Sequence, residues 1–166
     1  MSVELHRSLM AEATKRGTTV NSLINTVLEE YAEYDHLVAS HGIIRIGPSL
    51  LTGLLNTIPD KTVEEIGRKI GTVRPAAILT SIGLDFTFEN GKRLVTEYIE
   101  RHHRWYESRL TERNGNLTIH LVHRFNEKWS LMLRGYMTGL FEQFGFRVAD
   151  STISPYSVTI HFVKEK

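Results

Sequence analysis

"NEKWSLMLRGYMTGLFEQFG", residues Asn126–Gly145, carries the clearest periodicity in this chain of 166 residues. Trp129, Leu133, Tyr136, Met137, Leu140 and Phe144 recur at helical spacing, and Gly145 is placed to end the helix. Within the run Gly135 and Gly139 stand four apart, so they share one face, and each costs about 1 kcal/mol relative to alanine in a helix interior. Two such residues serve the close approach of another backbone or leave room for a small ligand. Close packing within the fold is the plainer reading.

Outward from this helix the pattern turns to strands. "WYESRLTE" (Trp105–Glu112) and "LTIHLVHRF" (Leu117–Phe125) flank "RNGN", whose Asn-Gly pair is a hairpin signal. On the other side, "FRVADSTISPYSVTIHFV" (Phe146–Val163) reads as two more strands broken near Ser154-Pro155. Upstream, "TFENGKRLVTEYIERHHRW" (Thr87–Trp105) suits a helix with Leu94, Val95, Tyr98 and Ile99 inward. "VRPAAILTSIGLDF" (Val73–Phe86) fits helix and strand alike. "DKTVEEIGRKIG" predicts a short helix capped by Asp60 and stopped at Gly71, and "PSLLTGLLNTI" a helix opened by Pro48 and Ser49. "GIIRIG" (Gly42–Gly47) is a short strand candidate. Helices and strands mix without a βαβ repeat, which predicts an α+β domain with a mainly antiparallel sheet over residues 37–166.

Residues 1–36 differ in kind. In "ELHRSLMAEATKRGTTVNSLINTVLEEY" (Glu4–Tyr31), Leu5, Leu9, Met10 and Ala13 make one apolar stripe, and Val20, Leu23, Ile24, Val27, Leu28 and Tyr31 a second. Ser2 can cap the first helix, Gly17 supplies a left-handed stop, and Thr18 or Thr19 can cap the second. The two parts are expected to meet near Tyr34–Ser40. Two helices this short bury too little surface to stand alone, so Leu9, Leu23, Ile24, Val27 and Leu28 are expected to form the core of a homodimer.

Ala13, Gly17, Thr18-Thr19-Val20-Asn21, Leu23-Ile24 and Leu28 together resemble the two helices of a ribbon-helix-helix protein, the class of small dimeric repressors and antitoxins. The likeness covers about the first 34 residues. It implies a dimer on double-stranded DNA, with Thr18, Thr19, Val20 and Asn21 contacting phosphate. A helix N-terminus with free N–H groups suits that role. Val3 stands where the family has a proline, and only Met1 and Ser2 precede it. The base-reading ribbon is therefore expected either upstream of Met1 or to have been lost, which would leave the pair as a dimerisation element. "HRFNEKWSLMLRGYMTGLF" (His123–Phe141) looks like part of an uncharacterised domain that follows ribbon-helix-helix segments in some archaeal proteins, a likeness that carries no known activity.

Composition adds exclusions. The chain has no cysteine, hence no disulfide or thiolate metal site, and a reducing interior is expected. It has no run of roughly 18 apolar residues and no basic patch followed by an apolar run, so a cytoplasmic protein with no membrane partner is expected. Net charge is +1: three basic residues face six acidic ones up to Asp35, and the remainder carries 17 basic and 13 acidic residues along its length. Of the eight histidines, His102, His103, His120 and His123 are near enough in sequence to invite a metal reading. His120 and His123 fall on opposite faces of a strand, however, and no HExxH or i, i+4 pair exists. They are expected at a helix end and on a solvated sheet face. "RHHRWYESR" mixes basic and aromatic residues as a single-strand platform does, yet the interleaved glutamates fit a solvated face with one buried aromatic. Trp105 and Trp129 are expected in the core. Without a nucleophile motif, a phosphate loop, a metal or a cofactor site, no catalytic activity is expected.

The expectation is a dimeric transcriptional regulator of the ribbon-helix-helix type whose α+β domain senses a small-molecule ligand or oligomerises. The alternative is a ligand-binding or scaffold protein that dimerises through the helical pair and does not bind DNA.

Overall fold

Leu117, Ile119 and Leu121 alternate with Thr118, His120 and Val122, and the chain there forms a strand with one face buried and one open. Three further strands extend this pattern into a four-stranded antiparallel sheet. They are β1 (Glu107–Arg113), β2 (Asn116–Val122), β3 (Phe146–Ser154) and β4 (Ser157–Lys164), in the order β1-β2-β4-β3. The computed structural model describes residues 1–32 and 46–165. It divides into two compact units, Met1–Ile43 and Ile44–Lys166. The expected junction near Tyr34–Ser40 and most of the "GIIRIG" strand candidate lie outside the described residues.

Among the described residues six α-helices complete the α+β fold: α1 (Val3–Lys15), α2 (Val20–Glu30), α3 (Pro48–Asn56), α4 (Asp60–Ser81), α5 (Phe88–Arg93) and α6 (Glu127–Glu142). α5 runs on as a π-helical segment, Leu94–His103, which ends at Arg104 in a left-handed conformation. The Asn-Gly signal is met in the β1–β2 turn, where Asn114 and Gly115 both have positive φ (52° and 73°), as a type I′ turn requires. α6 carries the chain from β2 to β3, and β4 slots between them. Asn126 caps α6 by accepting the Trp129 N–H at 3.1 Å.

One side of the sheet buries Leu117, Ile119, Leu121, Val158, Ile160 and Phe162 beneath Leu133, Met137, Leu140 and Phe141 of α6. The π-helical segment packs on β1 and adds Leu94, Val95 and Ile99 to the same core. There the buried Tyr106 hydroxyl donates to the Val95 carbonyl at 3.1 Å, and burial raises its pKa well above the ordinary tyrosine value.

The opposite side of α6 meets α4 backbone to backbone. Val63, Gly67, Gly71, Pro75 and Leu79 are the buried residues of α4, one straight i, i+4 row. A Cβ at Gly67 would lie 2.2 Å from the Met132 carbonyl oxygen, and one at Gly71 2.0 Å from that of Tyr136. The reciprocal holds: a Cβ at Gly135 or Gly139 would lie 2.1 or 2.2 Å from the carbonyl oxygens of Glu64 and Arg68. The glycines of α6 thus serve close packing rather than a ligand cavity.

Two expectations are corrected here. Gly71 does not stop a helix; α4 passes through it and runs 22 residues to Ser81, which settles most of the ambiguous Val73–Phe86 stretch as helix. Gly71 is kept for the contact with α6, and that contact outweighs its helix propensity. Asp60 is the first helical residue rather than the cap, which is Pro59. Pro75 sits inside α4 without a backbone N–H, so the Gly71 carbonyl loses its partner four residues on. Gln143 at the end of α6 supplies one, its Nε2 donating to that oxygen at 3.4 Å.

Gly71→Ala is expected to cost about 3 kcal/mol, the upper range for forcing a methyl into a packed contact. Gly53→Ala, in a helix where nothing lies within 4 Å, should instead stabilise by about 1 kcal/mol. Urea unfolding of both variants checks the contrast.

Candidate functional site

Between the π-helical segment and the far ends of β1 and β2 lies an open cleft of about 860 Å³. Thr96, Glu97, Glu100, Arg101 and Arg104 line one wall, and Val122, His123, Arg124 and Phe125 the other. The left-handed Arg104 turns the chain out of the helix and brings Trp105 to the floor. Trp105 stacks edge-on against Trp129 at 5.5 Å and Tyr136 at 5.8 Å, and Phe125 lies 4.7 Å from Trp129. Trp129 Nε1 donates to the Trp105 carbonyl at 3.2 Å, which ties floor to core.

Three glutamates and three arginines line the cleft. Glu97 is engaged by Arg93 at 3.1 Å, and Glu100 accepts the Ser108 N–H at 3.0 Å together with its hydroxyl. Two of the three lining carboxylates are therefore occupied; the third, Glu107, lines the cleft together with Arg101, Arg104 and Arg124. Arginine and aromatic side chains lining one cleft are groups that suit a small ligand with a flat apolar body and an anionic end. Sequence reasoning placed "RHHRWYESR" on a solvated face with one buried aromatic; Tyr106 is buried, and Trp105, half-buried, packs against the core while it lines the cleft. The partners that complete the wall, Arg124 and Phe125, were missed. They follow the end of β2 in "HRF", and no periodicity marks a residue that leaves a strand to join a helix ten or more positions away.

The histidines do not converge. His120 lies on the open sheet face with Nδ1 2.8 Å from the Thr159 hydroxyl, and His103 is edge-on to Trp105 at 5.1 Å. His123 departs from the expected solvated position: it is buried, with Nε2 2.7 Å from the Ser130 hydroxyl. Its Nδ1 accepts the Phe125 N–H at 3.3 Å, so Nε2 carries the proton and donates to Ser130. Ser130 in turn donates to the Ser154 carbonyl at 2.7 Å. This polarity is opposite to that of an activated serine, whose proton is taken by the imidazole. The pair instead ties the start of α6 to the β3–β4 turn. Among the described residues no group of three or more His, Cys, Asp or Glu is placed to hold a metal ion.

In the N-terminal unit, Ser2 caps α1 by accepting the Leu5 N–H at 3.2 Å, and Thr19 caps α2 by accepting that of Ser22 at 3.1 Å. Gly17 takes the expected left-handed turn, φ 63°. Thr19 and Asn21 are exposed and Thr18 and Val20 half-buried around the α2 N-terminus, whose first N–H groups have no partner within the helix. Of the expected dimer core, Leu23 is buried against this unit, Leu9 and Ile24 are half-buried, and Val27 and Leu28 are 53% and 58% exposed.

No model of a known protein family matches the chain, and no curated protein matches it. The class defined here is thus structural: a β1-β2-α6-β3-β4 sheet covered by helices on one side, joined to an N-terminal helical pair. Among the described residues no helix is long and apolar enough to cross a membrane.

Burial lowers the pKa of His123 from 6.5 to about 4. Burial, with His102 and Arg74 nearby, does the same to His103. Both rings stay neutral in the fold and take up a proton on unfolding below their ordinary value. Their contribution is whole above about pH 6.5 and is lost as pH falls through about 4, each pH unit per group being worth about 1.4 kcal/mol. The urea midpoint should fall between pH 6.5 and 4.5. His123→Gln, which retains a donor for Ser130, should make that fall shallower; an unchanged slope would show that His123 is not held neutral.

Proposed function

We propose that this protein is a homodimeric transcriptional regulator of the ribbon-helix-helix type, in which α1 and α2 pair with those of a second chain. The start of α2 then meets DNA phosphate through Thr18, Thr19, Val20 and Asn21. The α+β unit serves as its sensor and takes a small anionic aromatic ligand in the cleft beside Trp105.

One observation carries this reading. Among its described residues the helical pair buries only Ala13 and Leu23, while Leu5, Met10, Val27, Leu28 and Tyr31 are each at least half exposed. Full burial of such a side chain is worth roughly 1.5–3 kcal/mol, so covering several by a second copy supplies the stability the pair lacks alone. The resemblance in Ala13, Gly17 and Thr18-Thr19-Val20-Asn21 supports DNA as the dimer's target. The acidic Glu29 and Glu30 at the end of α2 favour a second reading, a ligand-binding or scaffold dimer that does not engage DNA.

Sedimentation at tens of micromolar separates these. The wild type is expected to be a dimer and Val27→Lys/Leu28→Lys a monomer with its α+β unit intact, since both side chains are already exposed within one chain. A monomeric wild type would sink the proposal. For DNA, Asn21→Glu is the sharper variant. A carboxylate in the first turn stabilises α2 by about 0.3–1 kcal/mol through the helix dipole, yet it should repel phosphate and weaken duplex binding in a gel-shift titration. Undiminished binding would favour the second reading.

A further inference from the structure

The side of the sheet turned away from α6 is paved with polar residues. Arg109, His120, Thr159 and Thr152 form one row across the four strands, and Thr111, Thr118, His161 and Asp150 the next. Arg113 lies beyond these rows on β1, opposite Asn116, and Arg147 on β3, opposite Val163. β1 and β3 are the two edges, so the arginines stand about 14 Å apart across the sheet, three strand spacings. A shift in register between Val148 and Asp150 keeps Arg147 and Asp150 on this same side. Within its own unit the packed helices lie on the other side of the sheet, and Arg109, Arg113 and Arg147 are all exposed.

The charge on this face differs from that on the helices. Arg68 pairs with Glu142 at 2.7 Å, Lys128 with Asp60 at 3.2 Å, Lys92 with Glu89 at 2.8 Å, and Arg134 with Glu64. Among the described residues Arg109, Arg113 and Arg147 make no ion pair. The imidazoles are held instead by hydroxyls: Thr118 Oγ1 lies 3.1 Å from Nδ1 of His161, and Thr159 Oγ1 2.8 Å from Nδ1 of His120. Each ring keeps Nε2 for another partner. Three arginines without an ion pair thus share one open side with two carboxylates, Glu107 opposite Val122 and Asp150 opposite His161.

We infer that this open face of the sheet binds the phosphate backbone of duplex DNA. The inference rests on the reading of the chain as a DNA-binding regulator but uses none of the residues of the helical pair. Unpaired guanidinium forks, threonine hydroxyls and imidazole N–H groups are the donors that phosphate oxygens accept. An acidic protein would match the charge, but Val122 and Val163 are the only large apolar side chains it would meet, too few for the apolar centre of a protein interface. A single strand would need aromatic platforms for its bases, and this face has none. With no base contacts, binding is sequence-tolerant and adds affinity rather than specificity.

Anisotropy titrations of the full chain with a 20-bp duplex of arbitrary sequence, over a series of salt concentrations, test this. Arg109→Gln/Arg113→Gln/Arg147→Gln is expected to weaken binding at low salt by about tenfold or more and to reduce the salt slope by about 2.7, at roughly 0.9 per phosphate contact. Arg113→Gln alone should reduce it by about 0.9, which keeps the test sharp if the triple variant misfolds by circular dichroism. An unchanged affinity and slope in a folded triple variant overturns the face, while weakened binding by Asn21→Glu would still support the helical pair. A wild type that binds no duplex, or binds polyglutamate or the single strand more tightly, overturns the face as a duplex site; dimerisation is then judged by sedimentation alone.

Discussion

Four glycines set how close α4 and α6 lie, and the rest of the α+β unit is arranged around that distance. Gly67 and Gly71 face Gly135 and Gly139 so closely that a methyl on any of them would meet a carbonyl oxygen near 2 Å. Each glycine is a poor helix residue by itself. Paired, they let two helices touch along their backbones and gain dispersion contacts that side chains would hold apart. Pro75 extends the same economy: the carbonyl it strands on Gly71 is met by Gln143 from the opposing helix. α6 is then buried on both sides, by α4 and by the sheet, and serves as the central layer.

Burying α6 this way leaves charged residues to the flanks of the contact. Arg134–Glu64, Arg68–Glu142 and Lys128–Asp60 all join α6 or its first turn to α4. Pairs this exposed contribute little energy, typically 0–1 kcal/mol each, and act mainly to fix register. They also neutralise the helical layer. The sheet's open side has no such partners, and the cleft has two of its carboxylates drawn to other groups.

The N-terminal unit obeys a different balance. Its helices are well specified locally, by Ser2 and Thr19 at their caps and Gly17 between them. Their mutual packing buries little beyond Ala13 and Leu23. Local signals define the shape of this pair, while its stability depends on what covers Val27, Leu28 and Met10.

Much of this was legible in the residues themselves. The α2 cap at Thr19, the Asn114-Gly115 turn, the break at Ser154-Pro155 and the inward side of α6 all depend on interactions within a few positions, which spacing and residue type encode. Gly71 was misread because its local meaning, a helix stop, is opposite to its tertiary one, a contact surface, and only the facing Tyr136 carbonyl distinguishes them. His123 was placed in solvent because alternation along a strand says nothing about a residue just past its end; Ser130 and the β3–β4 turn bury it. The cleft and the arginines of the open face were invisible for the same reason. Sequence alone determined which residues share a side of one element. Which sides meet, which charges find partners and which remain open was decided by register and packing between elements far apart in the chain, where no short-range pattern records the partner.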